Sequence, residues 1–361
     1  MPLVPSYIKT LSNYIPGKPI EEVQRELGLK NIIKLASNEN SMGPSPMALV
    51  AVQKSMELTH RYPDSSGYNL RKKLSEKYNI KLDNVVLGAG SEGIMSTIMR
   101  TFLLQDDEII TAKNSFIGFR VLANASGRKV HWIPMKNYRY DLNAMSEKIN
   151  EYTKIIYIAN PDNPMGTYIT KKEFDDFYKT VPERVLIILD EAYFEYAQKE
   201  NSFPDSMTYR YDNIITLRTF SKVYGLAGMR IGYGFAHESL IRNLMKVKVP
   251  FEPSFLAQVS GFAALEDKPF IDKSLKLNGK GMNYLCENFS KLNVKTVPSV
   301  TNFVTTVWNS PKQAKSIFEK LLKKGIIVRH LNSFGWADCL RVSIGLKEEN
   351  KQLIECLRAI I

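Results

Sequence analysis

Four stretches of this chain hold residues whose types and spacing could do chemistry. In TFSKVYGLAGMRIGYG (219–234), Lys222 follows an apolar run and a hydroxyl-rich turn (Thr219, Ser221), and a glycine-rich segment leads on to Arg230. A loop lysine is usually a solvated surface group. Few charged residues surround this one, however, and an apolar setting lowers an amine's pKa toward nucleophilic use. In VLIILDEAYFEY (185–196), Asp190 ends an apolar run, where an isolated carboxylate is costly unless it is paired or caps a helix.

In GAGSEG (88–93), the glycines Gly88, Gly90 and Gly93 have the spacing of the dinucleotide-binding fingerprint. That motif also needs an acid at the end of the next strand to hold a ribose. The next apolar run, EIIT (108–111), continues into Ala-Lys-Asn, and Asp106, Asp107 and Glu108 lie at or before its start. With the ribose handle missing, what remains is a glycine-permitted approach to a helix N-terminus, which suits any phosphate. The fourth stretch, ANPDNPMG (159–166), reads as a turn after a strand, with Asn163 as an amide donor and an ordinary Pro/Asn turn as the plain alternative. Pyridoxal-phosphate chemistry needs a lysine bonded to the cofactor, an acid on the ring nitrogen and donors for the phosphate. Lys222, Asp190 and the set Gly90, Ser91, Ser221 and Arg230 fill those three slots.

These residues require elements that bring them together. LRKKLSEKYNI (70–80) and GIMSTIMRTFLL (93–104) have helical periodicity, the latter with Ile94, Ile98 and Phe102 on one row. Short apolar runs at 84–88, 108–111, 129–133, 154–160, 184–190 and 213–217 rarely alternate, as befits strands buried on both faces of a mostly parallel sheet. The expected fold class is α/β: a doubly wound domain over 30–245, a smaller α+β domain over 246–361, and a Pro/Gly-rich arm over 1–29. One long helical stretch is expected at 254–290. After it come strand-like runs in NVKTV, NFVTTVW, GIIVRHL and CLRVSIG, with helices at 311–323 and 347–361.

Composition narrows the function classes. The net charge of +12 is dispersed, with no Lys/Arg cluster of the kind that marks a nucleic-acid patch, so it favours anionic small substrates instead. No apolar run reaches the roughly 18–20 residues that span a bilayer, and the start does not read as a signal peptide, so a cytoplasmic location is expected. Cys286, Cys339 and Cys356 have no metal-like spacing.

With these stretches in order, the chain resembles the fold-type-I pyridoxal-phosphate aminotransferases over most of its length. Within them it is similar to the histidinol-phosphate aminotransferase family, through YIPGKPIEEVQRELG, LASNENSMGPSP (35–46), HRYPD (60–64), NPDNPMG, ILDEAYFEY, TFSKVYGLAGMRIGY and IIVRHLNSFGWADCLRVSIG (326–345). Aminotransferases of aromatic amino acids and a threonine-phosphate decarboxylase share much of this pattern. The non-enzymatic alternative is a DNA-binding regulator on the same fold, for which the arm is too short to hold a DNA-binding domain.

The resemblance implies a reaction and a set of roles. L-histidinol phosphate and 2-oxoglutarate would become imidazole acetol phosphate and L-glutamate by ping-pong chemistry in histidine biosynthesis. Lys222 would carry pyridoxal 5'-phosphate, Asp190 would pair with its ring nitrogen, and Asn163 and Tyr193 would contact its ring oxygen. Phe116 would stack on the ring, while Gly90, Ser91, Glu92, Thr219, Ser221 and Arg230 would surround the phosphate. Tyr62 would reach that phosphate from the other subunit of a homodimer. Tyr14, Asn38, Arg329 and Arg341 would bind substrate. Phe116 stands where many relatives have Tyr, Met165 replaces a frequent Thr, and Ser41-Met42 replaces a common Pro-Leu.

Overall fold

The computed structural model describes residues 3–11, 13, 17–209 and 212–361. Seven strands form the central sheet: β1 (Val85–Gly88), β2 (Glu108–Ala112), β3 (Lys129–Ile133), β4 (Thr153–Ala159), β5 (Leu186–Asp190), β6 (Ile214–Thr219) and β7 (Gly232–Phe235). They lie in the order β1-β7-β6-β5-β4-β2-β3. All neighbours run parallel except β7, which is antiparallel to both β1 and β6.

The apolar runs become strands because helices cover both faces. On β4, Ile155 and Tyr157 pack with Ile94, Ile98 and Phe119 on one side, and Ile156 and Ile158 pack with Phe174 and Phe177 on the other. Helix α1 (Gly90–Phe102) buries Ile94 and Ile98 of the row its periodicity indicated, together with Met95 and Met99. Strand β7 was not legible as a strand, because its Gly-Tyr-Gly-Phe lacks the β-branched residues of its neighbours. Its glycine has a packing reason. A Cβ on Gly232 would lie 2.5 Å from the Ser91 backbone nitrogen, so only glycine lets β7 abut the start of α1.

A second sheet has the order β10-β11-β9-β8, with β8 (Lys295–Val297), β9 (Phe303–Val307), β10 (Arg329–His330) and β11 (Cys339–Ser343), all antiparallel. Its core joins Val304, Leu340 and Val342 to Leu285, Ile317 and Leu353 from three helices. The long helical stretch is two helices, Phe255–Ala264 and Lys268–Lys291, separated where Asp267 caps the second and Pro269 enters its first turn. GIIVRHL also divides. Ile326–Ile327 pairs in parallel with Ile33–Lys34, while Arg329–His330 joins the second sheet. The Leu35 carbonyl then accepts from Ser343 N, which ties residues 33–38 to β11 and brings them to the central sheet. In the arm, the Ile20–Leu27 helix buries Val23 against Ala36 and Ile327 of its own chain.

Candidate active site

The carboxyl ends of the parallel strands supply the chemistry, as open α/β sheets favour. Asp190 ends β5, Asn163 follows β4, Phe116 follows β2, Thr219 ends β6, and Ser221 and Lys222 follow it. A cavity of about 210 Å³ brings together Gly90, Ser91, Asn163, Asp190, Lys222 and Arg230, and its wall also includes Glu92, Phe116, Tyr193, Thr219 and Ser221. A neighbouring cavity of about 400 Å³ shares Glu92, Phe116, Asn163 and Lys222 and continues to Asn38, Arg329 and Arg341.

Lys222 is held between the buried anchors Phe220, Val223 and Tyr224. Burial pushes its amine down to about 8; Arg341 and Arg230 push the same way, against Glu39 and Asp190. Its Nζ stands 5.6 Å from the centre of the Tyr193 ring. Asp190 is buried, which raises its carboxyl to about 6, while a hydrogen bond from Tyr157 opposes the rise. The Tyr157 hydroxyl donates to Asp190 Oδ2 at 2.8 Å, and Asp190 Oδ1 is buried with no hydrogen-bond partner. A strand-terminal carboxylate with one oxygen committed and the other unpartnered can take one more cationic donor.

At the opposite end lies an anion cradle. Gly90 adopts φ +74° at the first turn of α1, and a Cβ there would meet Arg230 Nη2 at 2.7 Å. The helix N-terminus therefore presents its free N–H groups beside an arginine. Arg230 faces Ser221 Oγ and Glu92 at 3.5 Å each, and the Thr219 hydroxyl donates to Ser221 Oγ at 3.0 Å.

Tyr193 is buried, and its hydroxyl is pushed up to about 12, chiefly by that burial. Asn38 Nδ2 donates to the Tyr193 hydroxyl at 2.8 Å, and Asn38 Oδ1 accepts from Ser343 Oγ at 3.0 Å. Asn38 thus lines the second cavity while its side chain orients Tyr193. That leaves the Tyr193 proton available to the cavity. Arg341 and Arg329 stand opposite each other across β11 and β10. Arg341 donates to Asn163 Oδ1 and to the Ala36 carbonyl, and its guanidinium stands 5.2 Å from the centre of the Phe303 ring. Arg329 contacts Ser333 and lies over Phe334. Ile117, Val121, Leu122 and Phe334 give this cavity an apolar wall.

One described residue of the expected set stands apart from the cluster. Tyr62 is 81% exposed, stacks on Phe251 and lines neither cavity. Tyr14 lies outside the described residues. Sequence reading missed Tyr157, whose hydroxyl is hidden inside an apolar run, and it missed Asp162. That buried carboxylate accepts from Ser115 Oγ at 2.6 Å and Met165 N at 3.0 Å, bracing the loop that carries Asn163. Its setting within NPDNP was the available signal.

Comparison with known proteins bears on the family and the fold. Residues 30–357 match the family Aminotransferase class I and II. The chain is 40% identical over 364 residues to a histidinol-phosphate aminotransferase of Anaeromyxobacter sp. (strain Fw109-5), covering 100% of both chains. It is 42% identical to one of Moorella thermoacetica, covering 98% of this chain and 92% of that protein. Among solved structures, the histidinol-phosphate aminotransferase of Sinorhizobium meliloti in complex with pyridoxal-5'-phosphate superposes with a TM-score of 0.91 at 26% identity, over 100% of this chain and 99% of that one. Aspartate aminotransferase of Thermus thermophilus with maleate shares the fold at a TM-score of 0.84 and 18% identity, each chain covered at 100%.

Proposed function

The chain belongs to the class I and II aminotransferases, and from that premise we propose that it exchanges an amino group between L-histidinol phosphate and 2-oxoglutarate on pyridoxal 5'-phosphate. Behind this conclusion stands one juxtaposition. A depressed lysine amine and a half-partnered carboxylate share a cavity that continues to two arginines.

The residues present fit the cofactor. The unpartnered Asp190 Oδ1 suits a protonated ring nitrogen, and the α1 N-terminus with Ser91, Glu92, Ser221, Thr219 and Arg230 suits its phosphate. Phe116 would cover the ring, Asn163 and Tyr193 would donate to its oxygen, and Lys222 would hold it covalently. When bound, pyridoxal phosphate supplies an electron sink for charge developing at the substrate Cα. Asp190 stays anionic and keeps that sink cationic. Lys222 Nζ, its amine lowered toward neutrality by burial, would take the proton from substrate Cα and pass it on to the carbon that keeps the amino group, so that each half-reaction ends with the amino group on its new carrier.

Arg341 and Arg329 bind the substrate's anionic end, a phosphate in histidinol phosphate and a carboxylate in glutamate. A guanidinium serves both because its planar fork matches either anion. The imidazole lies against the apolar wall of Ile117, Leu122 and Phe334. Because both substrates use the same cavity in turn, the kinetics are ping-pong.

The wider arrangement is proposed on the same footing: an arm over 1–29, a large domain over 30–245 and a small one over 246–361. A homodimer would give the exposed Tyr62 a role at the partner's phosphate cradle. No helix among the described residues is long and apolar enough to cross a membrane, and the reaction suits the cytoplasm. Initial rates with both substrates varied test the proposal: parallel double-reciprocal lines and glutamate as product are expected. Turnover of phenylalanine but not histidinol phosphate would overturn the substrate assignment.

A further inference from the structure

We propose that Tyr157 is a positioning residue for this reaction: from inside the sheet its hydroxyl holds the Asp190 carboxylate in its ionised form, with Oδ1 left for a cationic partner. This rests on the assignment of the cavity to pyridoxal phosphate.

The register of the sheet makes the contact. Asp190 lies directly opposite Ala159 on β4, and Tyr157 lies one residue pair back on the same face. Small Ala159 leaves the diagonal open, and diagonal neighbours are within reach of a long aromatic side chain. Tyr157 is fully buried and clamped by Phe119, whose ring stacks on it at 3.9 Å between centroids and 6° between planes. Phe119 belongs to the helix Ile117–Ala125, which Phe116 caps on the cavity side, so one helix fixes both the aromatic lining of the cavity and the tyrosine behind it.

An ionised carboxylate only accepts hydrogen bonds, so the 2.8 Å contact commits the tyrosine proton to Asp190. The phenol can sustain that role, because its own ionisation is pushed far above the usual range by burial and by the neighbouring Asp190. Of the other groups around Asp190, the Ala192 backbone N–H also favours the ionised form, after Tyr157. Glu92 opposes ionisation and Lys222 favours it, while Tyr140 and Tyr193 are neutral phenols. Among the described residues, Tyr157 makes the one side-chain hydrogen bond to this carboxylate. Without it, burial is less opposed, and the Asp190 carboxyl is pushed further up toward the neutral form, which lacks the charge that a ring nitrogen needs.

The test starts from the protein freed of cofactor, in which the infrared carbonyl band lost on Asp190→Asn reports the protonated Asp190. Tyr157→Phe, which removes one oxygen and keeps the stacked ring, is expected to move that band's pH midpoint up by at least about one unit. Such a shift corresponds to about tenfold in the protonation equilibrium. Phe119→Leu loosens the clamp without deleting the hydroxyl and is expected to move the midpoint the same way by less. Cofactor Kd near pH 7 is expected to rise about tenfold in Tyr157→Phe, with no further rise when the same change is made in Asp190→Asn. A midpoint unmoved in both variants, or an equal Kd cost in both backgrounds, overturns the proposal. Failure of the unmodified chain to bind pyridoxal phosphate would overturn the cofactor assignment instead, and the infrared titration would still be readable.

Discussion

Asp190 and Glu191 are consecutive buried carboxylates with opposite surroundings. Glu191 Oε2 accepts from Arg218 Nε at 2.9 Å and Nη2 at 2.7 Å, its Oε1 accepts from Ser206 N, and Arg218 also reaches Asp205 at 2.7 Å. The guanidinium lies 3.4 Å from the centre of the Phe194 ring. Just across the sheet, Asp190 has one side-chain donor and an orphan oxygen, and Lys222, four residues after Arg218, has a depressed pKa. Opposite charges raise the pKa of Arg218, while nearby like charges and burial lower that of Lys222. A buried carboxylate whose two oxygens are already partnered, as in Glu191, locks structure. One left partly unsatisfied keeps its capacity to bind.

The sharpest way to break this contrast is to remove one cation from each side. Lys222→Ala is expected to lower transamination by about 10⁴-fold or more while thermal unfolding shows no loss of stability, because no structural partner is orphaned. Arg218→Met is expected to do the reverse. Denaturant unfolding should show a loss of about 3–5 kcal/mol, since Glu191 is left buried without its cation, while the protein that remains folded keeps its turnover. If Arg218→Met left stability unchanged, the structural half of the contrast would fail.

Arg341→Lys sharpens the comparison at the mouth of the cavity. It keeps the charge but loses the fork that reaches both Asn163 and the Ala36 carbonyl. Steady-state kinetics are expected to show kcat/KM falling about tenfold or more for histidinol phosphate and for glutamate alike, the scale of one charged hydrogen bond at about 1.5–3 kcal/mol. Unchanged glutamate turnover would remove the role assigned to Arg341.

The smallest effect is one of pH. In the cofactor-free protein the Lys222 amine titrates at about 8, against an ordinary 10.5. Between those values the unfolded chain holds a proton that the folded chain lacks, so stability rises with pH across that window. Below about 8 both states are protonated and this slope vanishes. Lys222→Met is expected to flatten the slope in chemical denaturation, whereas Arg218, charged in both states, contributes none.

Much of this was legible in the sequence, for physical reasons that also explain the gaps. Asp190, Lys222 and Asn163 stood out because each interrupts or follows an apolar run, and parallel strands buried on both faces announce their carboxyl ends. Strand β7 stayed hidden because close packing against α1 demands glycine, which carries no strand signal. The division of GIIVRHL was hidden too, since Ile326–Ile327 pairs with Ile33–Lys34, a partner no local pattern can point to. Asn38 read as a substrate ligand; it lines the second cavity, and no local pattern showed that its side chain also bridges Tyr193 and Ser343. Tyr157 is the clearest case: an aromatic residue inside a strand reads as core, and only the register shows that its hydroxyl meets Asp190.

The most direct test of the central claim follows the visible absorption of the purified, cofactor-loaded protein while histidinol phosphate is added without any keto acid. Loss of the bound cofactor's yellow band, and its return on adding 2-oxoglutarate, is the predicted result. A yellow band that ignores histidinol phosphate and bleaches with phenylalanine would contradict it.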